Sequence, residues 1–285
     1  RRRSHMKIDA HQHFWQPARG DYDWMPKDNP VLHRTYLPAD LAPELAKHCI
    51  EGTVLVQAAA MVNETEYMLG LADASPHIKG VVGWIDFEDP SHLEHLTRLA
   101  AHPKFLGVRP MIQDIPDVDW MLRSDIQWAY RALIDLDLTF DALGFPQHLP
   151  NFLKLMTTYP DMRVVYDHCM KPQVGDQRTG KDAFSEWADG MSLLAAETAG
   201  CCKFSGLVTE AGDGWTIEDL RPFAEHILDA FGPERVMWGS DWPVCRLQME
   251  YNDWYRTATE LTGDLSASQR ADIFGGTAAR FYCLA

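Results

Sequence analysis

The 285-residue chain carries 41 acidic against 26 basic side chains, a formal charge of −15 at pH 7. That charge repels phosphate backbones and anionic bilayers, which sets nucleic acid and membrane surfaces aside as partners. With 46% hydrophobic residues the chain is rich enough for one large core, and its length is that of a single α/β barrel.

Taken in chain order, the first six residues, "RRRSHM", read as the remnant of an expression tag, leaving residues 7–285 as one domain. Eight short apolar runs rich in β-formers then recur at intervals of about 25–45 residues, each followed by a helical pattern, as a parallel sheet requires. They are "KIDAHQHF" from Lys7, "GTVLVQ" from Gly52, "KGVVGWIDF" from Lys79, "FLGVRPMI" from Phe105, "LTFDALG" from Leu138, "RVVYDHC" from Arg163, "CKFSGLV" from Cys202 and "RVMWGSDW" from Arg235. Capping boxes are expected at Asn63 with Glu66, Ser91 with Glu94, and Ser124 with Gln127. Eight such units predict a closed (β/α)8 barrel; an open doubly wound sheet would alternate in the same way, but no glycine-rich dinucleotide fingerprint follows the first strand. The long connection after that strand, "QPARGDYDWMPKDNPVLHRTYLPAD", is read as an ordered loop over the barrel mouth. Cys49, Cys169, Cys201, Cys202, Cys245 and Cys283 are scattered with no CxxC pair, which suits a reducing compartment. No leader-like segment and no run of about 18 apolar residues is found, so the expected location is the cytoplasm.

The C-terminal ends of barrel strands carry the chemistry, so polar residues there are the ones to collect. His11 and His13 end the first run, Arg109 the fourth, and Asp167 with His168 the sixth; Asp141 lies in the fifth, and Ser240 with Asp241 in the eighth. Residues i and i+2 of a strand share a face, so both early imidazoles are aimed at one place. A lone histidine at a strand end is most often structural. Three histidines, carboxylates and an arginine on separate strand ends are instead the signature of a site, since burying them together is costly unless they bind a ligand, a proton or a metal. Cys169 is set aside as a nucleophile because strand alternation would turn it from the face of His168. A Ser–His–Asp reading through Ser240 lacks the nucleophile-elbow pattern. Trp128, Trp187 and Trp254 sit in helical patterns and are read as packing between helices and barrel.

"DAHQHFW", "GVRP", "YDHCMKP", "KFSGL", "FGPERVMWGSDWPV" and "IFGGTAARFY", in that order from Asp9 to Tyr282, resemble the amidohydrolase superfamily. Within it they resemble the sugar and dicarboxylate lactonases, above all those opening L-fuconolactone and L-rhamnonolactone. The resemblance implies a hydrolase whose reaction centre is lined by His11, His13, His168 and Asp241. It also implies departures from metal-dependent relatives, which carry a bridging lysine or glutamate on strand 4 and a histidine on strand 5, where this chain has Arg109 and Asp141. A binuclear centre is therefore not expected. One divalent ion, zinc, on His11, His13, His168 and Asp241 suits the donor set, yet the positive charge of Arg109 opposes it and activity is expected not to require it.

Opening a lactone needs a base for water, donors for the tetrahedral oxyanion and an acid for the leaving alkoxide. Asp241 is the expected base, returning the proton to the ring oxygen, while His11, His13, His168 and Arg109 polarise the carbonyl. Tyr22, Trp24, His33, Gln57 and Trp84 are the expected contacts for a polyhydroxylated ring. The rival readings are a dicarboxylate lactonase, a metal-dependent decarboxylase of the same superfamily, and an inactive sugar-binding barrel. Carboxylate substrates would call for several arginines at the mouth, where Arg109 is accompanied only by Arg34 and Arg246 in loops. An inactive barrel would be expected to have lost Asp241.

Overall fold

A computed structural model describes residues 6–285; the proposed tag remnant, Met6 apart, lies outside them. Eight parallel strands follow one another in chain order around one sheet: β1 (Ile8–Gln12), β2 (Gly52–Val56), β3 (Ile78–Gly83), β4 (Phe105–Val108), β5 (Thr139–Ala142), β6 (Arg163–Tyr166), β7 (Cys201–Phe204) and β8 (Val236–Trp238). The ring nearly closes just beyond β8, where Asp241 N–H donates to the His11 carbonyl at 2.8 Å and His13 N–H to the Trp242 carbonyl at 2.7 Å. Outside lie α1 (Pro38–Lys47), α2 (Val62–Ala74), α3 (Leu93–Ala100), α4 (Gln127–Asp135), α5 (Leu149–Thr158), the short α6 (Val174–Arg178), α7 (Ser185–Glu197), α8 (Ile217–Phe231) and α9 (Tyr251–Leu261). This is the expected (β/α)8 barrel. Among the described residues no helix is long and apolar enough to cross a membrane.

Local readings fared less well than the architecture. None of the three expected capping boxes forms. Asn63 lies inside α2, whose N-cap is Met61; Asp89 accepts from Ser91 N–H ahead of α3; and a 3-10 turn, Ser124–Ile126, leads into α4 without a side-chain cap. α2 is entered directly from extended backbone at Met61, and α3 and α4 each from a 3-10 turn that shifts the helix start past the expected cap.

β1 also departs from simple alternation. Asp9 pairs with Thr53 and Gln12 with Leu55, so an extra residue is accommodated between them as a β-bulge. Plain alternation would put Asp9, His11 and His13 on one face. With the bulge, Asp9 accepts from the Tyr251 hydroxyl of α9 at 3.0 Å, while His11 and His13 join Ala10 in facing the interior. Gly239 makes room for this turn of the backbone, since a side chain there would begin 2.8 Å from the His11 Cβ.

The interior fills in layers. Ile8, Val54, Val82, Val165 and Met237 form an apolar floor, sealed by Ala278 and Tyr282 of the C-terminal turn. Above it lies a layer of charge. Lys203 of β7, wholly buried, donates to Asp141 Oδ2 at 2.8 Å, faces His11 Nδ1 at 3.3 Å and lies 3.8 Å from Asp167 Oδ1; the Tyr282 hydroxyl donates to Asp141 Oδ1 at 2.8 Å. Burial, with the neighbouring Asp141, pushes the Asp167 carboxyl up to about 8. Removing one member of such a group leaves its partner charged and unpaired in a medium that solvates it poorly. Lys203→Met is expected to cost about 3–5 kcal/mol in urea unfolding, with part recovered in the Lys203→Met/Asp141→Leu double variant. A single-variant cost below about 1 kcal/mol would show that this layer does not hold the barrel together.

Candidate active site

Above the charged layer, strand ends bring the expected residues together around Asp241. Its Oδ1 lies 3.2 Å from His13 Nε2, 3.6 Å from His11 Nε2 and 3.8 Å from His168 Nε2. Arg109, from the residue after β4, completes the group. Its Nε donates to the Gln57 side-chain oxygen and its Nη2 to the Gln57 carbonyl, both at 2.7 Å, and its Nη1 lies 3.3 Å from Asp167 Oδ2 and 3.4 Å from His11 Nε2. The group opens into a cavity of about 310 Å³ lined by His13, Arg109, His168 and Asp241, with Trp15, Trp24 and Met111 among the other walls.

Burial sets the protonation of this cluster. It pushes His13 down, His168 down to about 3 and His11 well below the ordinary imidazole range, so the three rings are neutral near pH 7. For Asp241 burial acts the other way, but the adjacent His168 and His13 rings and the Lys171 charge outweigh it and hold the carboxyl at about 2. An ionised carboxylate thus stands among neutral imidazoles. The ring orientations are fixed from behind, His13 Nδ1 by the Val56 carbonyl at 2.8 Å and His168 Nδ1 by the Ser205 hydroxyl at 2.7 Å.

The His13 contacts bear on a metal. Nδ1 faces a carbonyl and must carry hydrogen; Nε2 faces the Asp241 carboxylate, so a neutral ring leaves two lone pairs opposed unless a proton or a cation lies at Nε2. His11, His13 and Asp241 offer donor atoms within 4.8 Å of one another, and so do His11, Asp167 and His168. The first set, two imidazoles and a carboxylate, suits zinc. The Arg109 guanidinium, 3.4 Å from His11 Nε2, competes for the same nitrogen.

Of the five residues expected to touch a substrate, Trp24 alone lines the cavity; its indole N–H donates to the Ala58 carbonyl at 2.6 Å, pinning the long loop across the mouth. Gln57 is buried behind Arg109 and acts through it. Tyr22 packs against Trp15, His33 is exposed on the loop, and Trp84 sits edge-on to His92; none of the three lines this cavity. A loop residue's face cannot be read from spacing as a strand residue's can. Cys169 is no nucleophile, though for a different reason than alternation: it lies in a left-handed turn, with its thiol directed to the Lys203 carbonyl. The Ser240 hydroxyl is engaged with backbone groups of His11 and Trp242.

Sequence reasoning missed Lys203, Lys171, Gln113 and Asp114, the last three on the cavity wall. A lone lysine inside the apolar run "CKFSGLV" was the available signal for Lys203. Nothing in the local pattern announces Lys171.

Comparison with known proteins identifies the family. The family described as "Amidohydrolase" matches residues 8–284. A Burkholderia ambifaria protein named L-fucono-1,5-lactonase is 39% identical over 280 residues, covering 97% of this chain and 95% of its own. A Burkholderia multivorans protein of the same name is 36% identical over 287 residues, covering 98% and 96%. The crystal structure of a Burkholderia multivorans amidohydrolase with bound zinc superposes with a TM-score of 0.91 at 36% identity, covering 98% of this chain and all of that one. On fold, motifs and near full-length identity, the chain belongs to the amidohydrolase family of hydrolases.

Proposed function

We propose that this protein hydrolyses a neutral sugar lactone of the L-fucono-1,5-lactone type to the aldonic acid. Two relatives bearing that activity in their names align over nearly the whole chain. The observation that carries the reading is the charge balance of the cavity. Two cations, Arg109 and Lys171, face two carboxylates, Asp114 and Asp241, across walls whose histidines are neutral. A dicarboxylate substrate would need uncompensated cations, and here the two cations on the wall are matched in number by two carboxylates. The six cysteines, none in a disulfide, favour the cytoplasm as its location.

Asp241, ionised and central, takes a proton from water as the water oxygen adds to the lactone carbonyl carbon. Arg109 and the Nε2–H of neutral His168 receive the developing oxyanion, with His11 holding the guanidinium in place from behind. Collapse breaks the bond from the carbonyl carbon to the ring oxygen, and Asp241 returns its proton to that oxygen, releasing an acid that ionises. His11, His13 and Asp241 would hold a divalent cation, which when bound would lower the pKa of water and polarise the carbonyl. The guanidinium at His11 already supplies fixed positive charge there, so turnover is read as independent of the metal.

Asp241→Asn is expected to lower kcat by at least about 10³-fold with the melting temperature nearly unchanged, because an amide cannot accept water's proton. Near-wild-type turnover by the folded variant would remove Asp241 from the mechanism. Protein stripped with chelator is expected to keep most of its lactonase activity; loss restored by one equivalent of zinc would make the metal essential. On substrates, kcat/KM for L-fucono-1,5-lactone is expected to exceed that for 2-pyrone-4,6-dicarboxylate by at least about 10³-fold. A preference for the dicarboxylate, or no turnover of any sugar lactone, would overturn the assignment.

A further inference from the structure

Four consecutive side-chain-bearing residues, His168, Cys169, Met170 and Lys171, hold φ at +54°, +52°, +58° and +49°. This left-handed turn is closed by Lys171 N–H onto the His168 carbonyl at 2.8 Å. Each such residue is strained, and none of the four is a glycine, asparagine or aspartate that would lessen it. Neighbours hold the turn in place. The Trp187 indole donates to the Cys169 carbonyl at 2.8 Å, the Cys169 thiol to the Lys203 carbonyl at 3.4 Å, and Ser205 grips the His168 ring.

In a tight turn, residues three apart come to the same side. Here the turn delivers His168 and Lys171 into one cavity. An ammonium has three donors, and the hydrogen bond found for this one is to the Gln113 side-chain oxygen at 2.5 Å. Two donors remain for whatever occupies the cavity. Asp114, next to Gln113 on the same wall, adds a carboxylate acceptor, and the Gln113 amide keeps its own N–H donors. Ammonium, amide and carboxylate together match adjacent hydroxyl groups, each of which both donates and accepts. They match a second carboxylate poorly, because Asp114 would repel it.

We propose that Lys171, with Gln113 and Asp114, forms the subsite that reads the ring hydroxyls of the lactone and decides which epimer is accepted. The proposal rests on the lactonase reading above. Lys171 is thereby a specificity residue distinct from the Asp241 group that handles water.

The test measures kcat/KM for the wild type, Lys171→Met and Gln113→Leu on a panel of epimeric 6-deoxyaldono-1,5-lactones and on unsubstituted δ-valerolactone. A buried donor made for a hydroxyl discriminates by several orders of magnitude, so the ratio between preferred and disfavoured epimers is expected to fall by about 10²-fold or more in Lys171→Met. A smaller loss is expected on δ-valerolactone, which has no hydroxyl to read. Gln113→Leu, which leaves the left-handed turn untouched, is expected to lower the same ratio, so an unfolded Lys171 variant would not shelter the idea. Equal losses on every lactone, or an unchanged ratio in both variants, would overturn the subsite while leaving the lactonase assignment standing. A wild type inactive on all lactones would overturn both.

Discussion

The barrel is organised by the need to keep charge paired where water is absent. Lys203 is wholly buried, and the nearby groups are arranged to answer it: Asp141 at 2.8 Å, Asp167 at 3.8 Å, and the His11 ring at 3.3 Å. Arg109, one layer up, shares Asp167 and is otherwise held by Gln57 through both its side chain and its carbonyl. Fixed in this way, the two cations bracket His11 from below and above. The electrostatics of the mouth follow, since histidines next to buried positive charge stay neutral and Asp241 stays ionised.

The mouth is finished by elements outside the sheet. The loop after β1 is tied to the barrel by a bridge between Trp15 and Tyr36, and its Trp24 reaches the Ala58 carbonyl. Ala58 is in turn held by Glu64 of α2, whose carboxylate accepts from the backbone N–H groups of Ala58 and Ala59. Burial pushes that carboxyl up to about 7. One wall of the cavity therefore depends on a helix residue that never touches it.

Much of this was legible in the sequence, and what was not has a physical reason. Eight apolar runs with polar residues at their C-terminal ends place Arg109, His168 and Asp241 because a parallel barrel sends every strand end to one rim. The pair His11 and His13 was read correctly as aimed at one place, but by plain alternation; the bulge that separates them from Asp9 depends on pairing with β2 and on α9, neither of which is local. Lys171 was invisible for a similar cause. Its direction is set by a left-handed turn held by Trp187 and Ser205, residues distant in the chain. Tyr22, His33 and Trp84 lie off the cavity wall, in segments with no period to enforce a face. Arg109 is not the sole cation at the mouth: Lys171 is a second, facing the carboxylates of Glu210, Asp241 and Asp114.

Tyr282 follows the last helical turn, yet its hydroxyl reaches Asp141, 141 positions earlier. Lys203 meets His11 across 192 positions, and Asp241 meets His13 across 228. During synthesis the histidines of the first strand emerge long before the groups that orient them, and the floor beneath them waits for the final turn. Contacts of such separation form late and close slowly. The reactive pocket is thus assembled from both ends of the chain, its histidines from the first strand and the seal of its charged floor from the C-terminal turn.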